Sequence, residues 1–228
     1  TKELIRKQGI ENKRLFVINP VLNKIPLNLN QKEHNNFILL SVGRLIKRKG
    51  QDSVIKILND LKNKIPNIKY FIVGEGVEKN NLIKLVKKEK LDKIVTFVGN
   101  VDNKRLKKYY WNCDIFILPT KHILPNDVEG FGIVFLEAGS YSKPVIGGKN
   151  GGVVEAIKNG KTGYLIKEGD EKELIKKILY LYENQKERER LGKNGRKRIE
   201  QEFYKNENKS FVNYLNRIKK DSKQNLSA

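Results

Sequence analysis

Methionine is absent from all 228 residues, the first included, while cysteine and tryptophan occur once each and histidine twice. A single cysteine excludes an internal disulfide framework and fits a reducing, cytoplasmic setting. No apolar run is long enough to span a bilayer, and the amphipathic, charged opening from Thr1 is unlike a secretory signal. The missing Met fits a trimmed initiator or a piece of a longer protein. His34 and His122 stand alone, with no neighbours at metal-ligand spacing, so no metal site is implied. Acidic residues are scarce as well: 26 Asp and Glu against 47 Lys and Arg leave a formal charge of +21. The cations are spread along nearly every segment, so solvated helix faces absorb many of them. The excess still favours phosphate in some form, on a nucleotide, a nucleic acid or an anionic membrane.

What is present is a globular chain. Hydrophobic residues make up 38% and glycines number 18, enough for one large domain or two small ones. Short apolar runs alternate with helical patterns through the middle. The runs are Phe37–Val42, Tyr70–Val73, Ile94–Val98, Ile115–Leu118, Pro144–Ile146 and Gly163–Ile166. Between them, residues such as Val54, Ile55, Leu58, Leu61 and Ile65 recur at helical spacing. Continuous apolar strands, each followed by a helix, predict a parallel sheet covered on both faces, a doubly wound α/β domain. Outside this unit lie a further strand at Leu15–Ile18 and helices over Leu174–Tyr182, Glu187–Phe203 and Tyr204–Ile218, with a polar tail from Lys219. Cys113, where the fourth strand begins, reads as a buried, inert thiol.

In such a sheet, ligands bind where the carboxyl ends of the strands meet helix starts. Three loops there carry chemistry. The first, Gly43 to Gly50, follows a strand and places Arg44 and Lys49, two cations expected to be exposed, beside the backbone of Gly43. In the second, Gly130 and Gly132 lead into a helix whose first N–H groups have no intrahelical partner. A helix start contributes about 0.3–2 kcal/mol toward an anion. A charged hydrogen bond contributes about 1.5–3 kcal/mol. Arg44 and Lys49 would therefore dominate in holding a pyrophosphate, and the amides would orient it. Glu129 and Glu137, eight positions apart, would repel phosphate, so sugar hydroxyls are their natural donors. The third loop, Gly147 to Gly152, has four glycines around Asn150, which suits a surface pressed against a ligand.

Taken in order, Gly43-Arg44-Leu45-x4-Gly50, Glu129-Gly130-Phe131-Gly132-x4-Glu137-Ala138, Pro144-Val145-Ile146 and Gly151-Gly152-Val153-x-Glu155 resemble the carboxyl-terminal, donor-binding domain of family 4 retaining glycosyltransferases of the GT-B fold. Val73-Gly74-Glu75-Gly76, Phe97-x-Gly99-x-Val101, Leu106-x2-Tyr109, Asp114, Leu118-Pro119 and Gly160-x-Thr162-Gly163-Tyr164-Leu165 match too, so the resemblance runs from about Phe16 to Leu215. The stretch Asp127 to Val134 is similar to the phosphatidylinositol mannosyltransferase branch. Departures are Asn19-Pro20-Val21-Leu22-Asn23 in place of Asn-Gly-Val-Asp, Gly139-Ser140-Tyr141-Ser142 in place of an Ala-rich run, and Tyr204 where the family often has Trp.

The resemblance implies half of a GT-B fold: residues 1–29 as an interdomain segment, 30–185 as the Rossmann-like nucleotide-sugar-binding domain, and 186–228 as helices crossing back toward an amino-terminal domain. An apolar strip at Phe203, Phe211 and Leu215 would then stay exposed. It implies a retaining hexosyltransferase in which Arg44, Lys49 and Glu129 are the catalytic set. Gly43, Val98, Gly99, Asn100, Gly130, Phe131, Gly132 and Glu137 would hold the donor. That donor would be a UDP- or GDP-sugar, with no metal and no other cofactor. The acceptor would be a glycan or lipid-linked molecule met in the cytoplasm, with an anionic membrane surface as a further partner and nucleic acid excluded. This chain alone would bind donor without transferring it. Two rivals remain open: a basic nucleic-acid-binding protein, encouraged by Lys193, Arg196, Lys197 and Arg198, and a catalytically silent nucleotide-sugar-binding subunit. A nicotinamide fingerprint fails, because Lys79 stands where the third glycine of Gly74-x-Gly76 should be.

Overall fold

The computed structural model describes Pro20, Leu22, Pro26, residues 35–123, Asp127 and residues 129–204. The expected strand Leu15–Ile18, the helix beyond Tyr204, and Phe211 and Leu215 lie outside them. The strands are β1 (Phe37–Val42), β2 (Ile68–Val73), β3 (Val95–Gly99), β4 (Ile115–Leu118), β5 (Val145–Gly148) and β6 (Gly163–Ile166). They form one parallel sheet in the order β3-β2-β1-β4-β5-β6. The order reverses between β1 and β4, so a crevice opens there at the carboxyl edge. The helices are α1 (Gln51–Lys62), α2 (Lys79–Lys88), α3 (Asn103–Asn112), α4 (Ile133–Ser140), α5 (Val153–Ala156), α6 (Glu171–Glu183) and α7 (Gln185–Arg198).

Alternation along the strands builds a core on each face. Leu39, Tyr70, Ile72, Ile115 and Ile117 pack with Val54, Leu58 and Leu61 of α1, Leu82 and Val86 of α2, and Leu174, Ile178 and Leu181 of α6. Leu40, Val42, Phe116 and Leu118 face the other way, against Tyr110 of α3, Phe135 and Ala138 of α4, and Val153 and Ala156 of α5. The runs lacked a polar stripe because both faces of each central strand are buried. Local signals set the helix starts: Asp102 caps α3 by accepting from Arg105 N at 2.7 Å, and Asp170 caps α6 by accepting from Glu173 N at 2.9 Å.

The carboxyl-terminal end departs from expectation. The anticipated helix Glu187–Phe203 is α7 followed by a π-helical segment, Ile199–Phe203. Phe203, expected in an exposed strip, is 1% exposed and packs with Leu136, Ile199 and Leu22, its ring 5.9 Å from Phe131. Small residues at a helix crossing are the cause. A Cβ on Gly139 would stand 2.7 Å from Ile199 Cδ1, and one on Gly192 would stand 1.9 Å from Ser142 O. Glycine at these positions lets α7 lie close on α4, so the following turn folds over Leu136. Of the Gly139-Ser140-Tyr141-Ser142 departure, Gly139 and the Ser142 carbonyl lie at this close contact.

Candidate functional site

Four loops are stitched together at the carboxyl edge of the sheet. Gly43 N donates to Val73 O at 3.0 Å, Gly74 N to Gly99 O at 2.9 Å, and Leu45 N to Glu75 O at 2.9 Å. Gly74 has φ +130, and a Cβ there would sit 2.1 Å from Gly43 O, so only glycine allows the β1 and β2 loops to touch. Lys121 N, after β4, donates to Arg48 O at 2.7 Å. These bonds hold Lys47–Lys49, a single 3₁₀ turn, above the switch point.

The three cations after Gly43 then part ways. Arg44 is exposed, and among the described residues no ion pair holds its guanidinium. Lys49, expected to be exposed, is buried at 8%. Its amine lies beside Gly43, 3.8 Å from where a Cβ on that glycine would be, and donates to Glu129 Oε2 at 2.7 Å. Arg48, which the sequence reading passed over, is 7% exposed; its Nη1 donates to the same Glu129 oxygen. Arg48 Nε lies 2.6 Å from Asp127 Oδ1, close enough for an ion pair but without hydrogen-bond geometry. The signal for Arg48 was the carboxylate pair Asp127 and Glu129, which needs more than one cation when one member is buried.

Glu129 precedes α4 rather than belonging to it. Gly132, with φ +82, turns the chain into Ile133, and no side chain caps the helix start. The third loop is tied to this turn, with Gly152 N, at the start of α5, donating to Glu129 O at 2.9 Å. A Cβ on Gly152 would fall 1.9 Å from Gly130 O, and one on Gly148 would fall 1.9 Å from Thr120 O. The glycines of the third loop are therefore pressed against protein backbone rather than left free for a ligand. Glu137, on the second turn of α4, accepts from Tyr110 OH at 2.6 Å. Burial, with the Glu137 carboxylate beside it, pushes the Tyr110 hydroxyl well above its ordinary pKa, so it stays a donor. Gly99 ends β3, two strands from β1, with Val98 half-buried and Asn100 exposed. A Cβ on Gly99 would meet Glu75 Oε1 at 3.0 Å.

The structure thus joins Gly43, Lys49 and Glu129 directly, sets Gly130, Phe131 and Gly132 beside them, and leaves Glu137 and the Val98–Asn100 turn on separate elements of the same edge. Cys113 is fully buried, and burial pushes its thiol up to about 12, which leaves it inert. Among the described residues no cluster of three His, Cys, Asp or Glu side chains could hold a metal ion, and no helix is long and apolar enough to cross a membrane.

Comparison with known proteins gives a consistent picture. The profile of the family described as glycosyl transferases group 1 matches residues 27–198. The capsular polysaccharide biosynthesis glycosyltransferase CapM of Staphylococcus aureus is 29% identical over 186 residues, 79% of this chain and 46% of that protein. The GDP-mannose-dependent monoacylated alpha-(1-6)-phosphatidylinositol monomannoside mannosyltransferase of Corynebacterium glutamicum is 32% identical over 161 residues, 70% of this chain and 42% of that one. Among solved structures, Anabaena HepE in complex with UDP aligns with a TM-score of 0.69 and 26% identity, over 80% of this chain and 49% of that one. The chain spans about half or less of the length of these relatives.

Proposed function

The chain belongs to the group 1 glycosyl transferases, and from that premise we propose that it forms the donor-binding half of a retaining hexosyltransferase. Residues 30–185 would be the nucleotide-sugar domain, entered through residues 1–29 and left through 186–228, which lead back to an acceptor-holding domain. The observation that carries this is the pairing, at the switch point, of an exposed Arg44 that makes no ion pair among the described residues with a start of α4 that no side chain caps. The donor diphosphate would lie there, drawing on Lys49, with the Gly130–Gly132 backbone along the sugar and phosphate. Glu129 would accept from sugar hydroxyls, Glu137 from the ribose, and the Val98–Asn100 turn would pack on the base. The glycosidic C–O bond breaks with its electron pair leaving on the diphosphate, whose growing charge Arg44 and Lys49 stabilise. The acceptor hydroxyl then attacks from the same face, and its proton passes to an oxygen of the departing diphosphate. Positioning and charge stabilisation supply the rate without a side-chain nucleophile or a metal.

HepE was solved with UDP and the C. glutamicum relative uses GDP-mannose, so both bases belong in the test. Glycan and lipid-linked acceptors stay equally open, with an anionic membrane surface as a further contact. Nucleotide at a hundredfold excess over its dissociation constant adds about 2.7 kcal/mol of stability. UDP or GDP should therefore raise the melting temperature of this chain measurably. No shift with any nucleoside diphosphate at millimolar concentration would overturn the proposal.

A further inference from the structure

We propose that Arg48 is a positioning residue of the donor site, the counter-charge that keeps the Glu129 carboxylate paired while Lys49 moves its bond to the donor diphosphate. The inference rests on the donor-binding role proposed above. Lys49 and Arg48 converge on one oxygen, Glu129 Oε2, while the Nε edge of the same guanidinium faces Asp127 Oδ1 at 2.6 Å. Arg48, Lys49 and Glu129 are each at most 8% exposed, so none of these charges is well solvated. The Asp127 side chain, at 56%, is the one member of the set that water can serve.

Consider the set as a donor arrives. Arg48, Lys49, Asp127 and Glu129 sum to zero charge, so an incoming diphosphate meets net attraction from Arg44 and whatever Lys49 can release. With Lys49 as its sole partner, Glu129 would become a buried, unpaired carboxylate as soon as that amine turned to phosphate, and such a charge is strongly disfavoured. Lys49 would then stay where it is. Arg48 removes the obstacle. It is anchored through its own carbonyl by Lys121 N, its planar fork spans two carboxylates, and it keeps Glu129 paired through the exchange. The ammonium of Lys49 reorients freely on its flexible stem, which suits the residue that swaps partners. Neighbouring positions thus divide the work: Lys49 exchanges and Arg48 stays.

The test is UDP and GDP affinity of this chain by calorimetry, with melting curves to confirm folding. Arg48→Met should weaken binding about tenfold, a loss of about 1.4 kcal/mol, because Lys49 is then the only charge left to neutralise Glu129. Adding Glu129→Gln to Arg48→Met removes the carboxylate that traps Lys49 and should restore affinity to within about threefold of the parent. Lys49→Met with Glu129→Gln should stay weak, because there the phosphate ligand itself is gone. Arg48→Lys, which cannot bridge both carboxylates, should fall between parent and Arg48→Met; if Arg48→Met does not fold, the comparison is made with Arg48→Lys and its Glu129→Gln double. Equal affinity of parent and Arg48 variant would overturn the inference. So would a double variant as weak as the single, since Arg48 would then touch nucleotide directly or act only on the fold. A parent chain that binds neither nucleotide would instead overturn the donor-site proposal beneath it.

Discussion

Arg44 and Lys49 are both cations of the loop after β1, yet only Lys49 is tied to a buried carboxylate, so removing Arg44 and removing that carboxylate should have different consequences. Arg44 is exposed and makes no ion pair among the described residues, so Arg44→Ala should change stability by less than about 0.5 kcal/mol while weakening UDP or GDP binding. Glu129 is the partner that Lys49 and Arg48 share, so Glu129→Ala leaves two buried cations facing one lost carboxylate. Breaking a buried pair costs about 3–5 kcal/mol, and because Asp127 still faces Arg48 the loss should fall near the lower end. Urea unfolding of the two variants checks the contrast, and equal destabilisation would show that Arg44 is held by something other than solvent. The sequence made Arg44, Lys49 and Glu129 visible through their spacing around glycines but could not rank the adjacent cations. In a 3₁₀ turn successive side chains leave the axis about a third of a revolution apart, yet the long stems of Arg48 and Lys49 both reach Glu129 while Lys47 stays exposed. Which of them turns inward depends on Asp127 and Glu129, some eighty residues later in the chain.

At the scale of elements, the strands were legible to within two or three residues because burial on both faces leaves an uninterrupted apolar run. Their ends were less so: β5 extends through Gly147 and Gly148, residues that read as loop, since glycine is needed there to pass Thr120 and the side chains of Val153 and Ile157. The α4–α7 contact was illegible for a related reason. Gly139, Gly192 and Gly195 carry no apolar signal, yet they make the crossing close and bury Phe203. Most of the basic cluster that kept a nucleic-acid role open has partners along its own helical run. Lys193 pairs with Glu189, Arg196 with Glu200 and Arg198 with Glu202, each one turn away. Arg198 also donates to Ala156 O and Glu155 O at 2.8 Å and lies 4.9 Å from the Phe203 ring. Arg196 and Arg198 thus brace the terminal turn, whereas Lys193 and Lys197 stay exposed. Phe203→Ala should therefore cost about 3–5 kcal/mol, the usual range for an aromatic lost from a core. Guanidinium denaturation reads this directly; a loss under 1 kcal/mol would mean that the turn over Leu136 is only loosely seated.

For the whole molecule, donor binding and sugar transfer should separate. A transferase must hold an acceptor hydroxyl against the reacting carbon of the donor, which requires groups on both sides of the sugar. In the donor site proposed above, one doubly wound sheet would supply Arg44, Lys49, Glu129 and the α4 start on one side. Among the described residues no second sheet faces that edge, and two branched apolar side chains stand open near it, Ile133 at 46% and Val154 at 41%. The relatives CapM and the C. glutamicum mannosyltransferase are more than twice the length matched here. The chain should then bind UDP or GDP with full dependence on Arg44 and Lys49. Incubated with the matching nucleotide sugar and a cell-derived acceptor extract, it should release nucleotide only by slow hydrolysis, with no glycosylated product. Radiolabelled donor followed by separation of free sugar from acceptor-bound sugar distinguishes the two. Label in the acceptor fraction at rates well above hydrolysis would place an acceptor site within these 228 residues. The open apolar positions around Ile133 and Val154 would then be where to look for it, since bound acceptor would have to cover them to exclude water from the reacting bond.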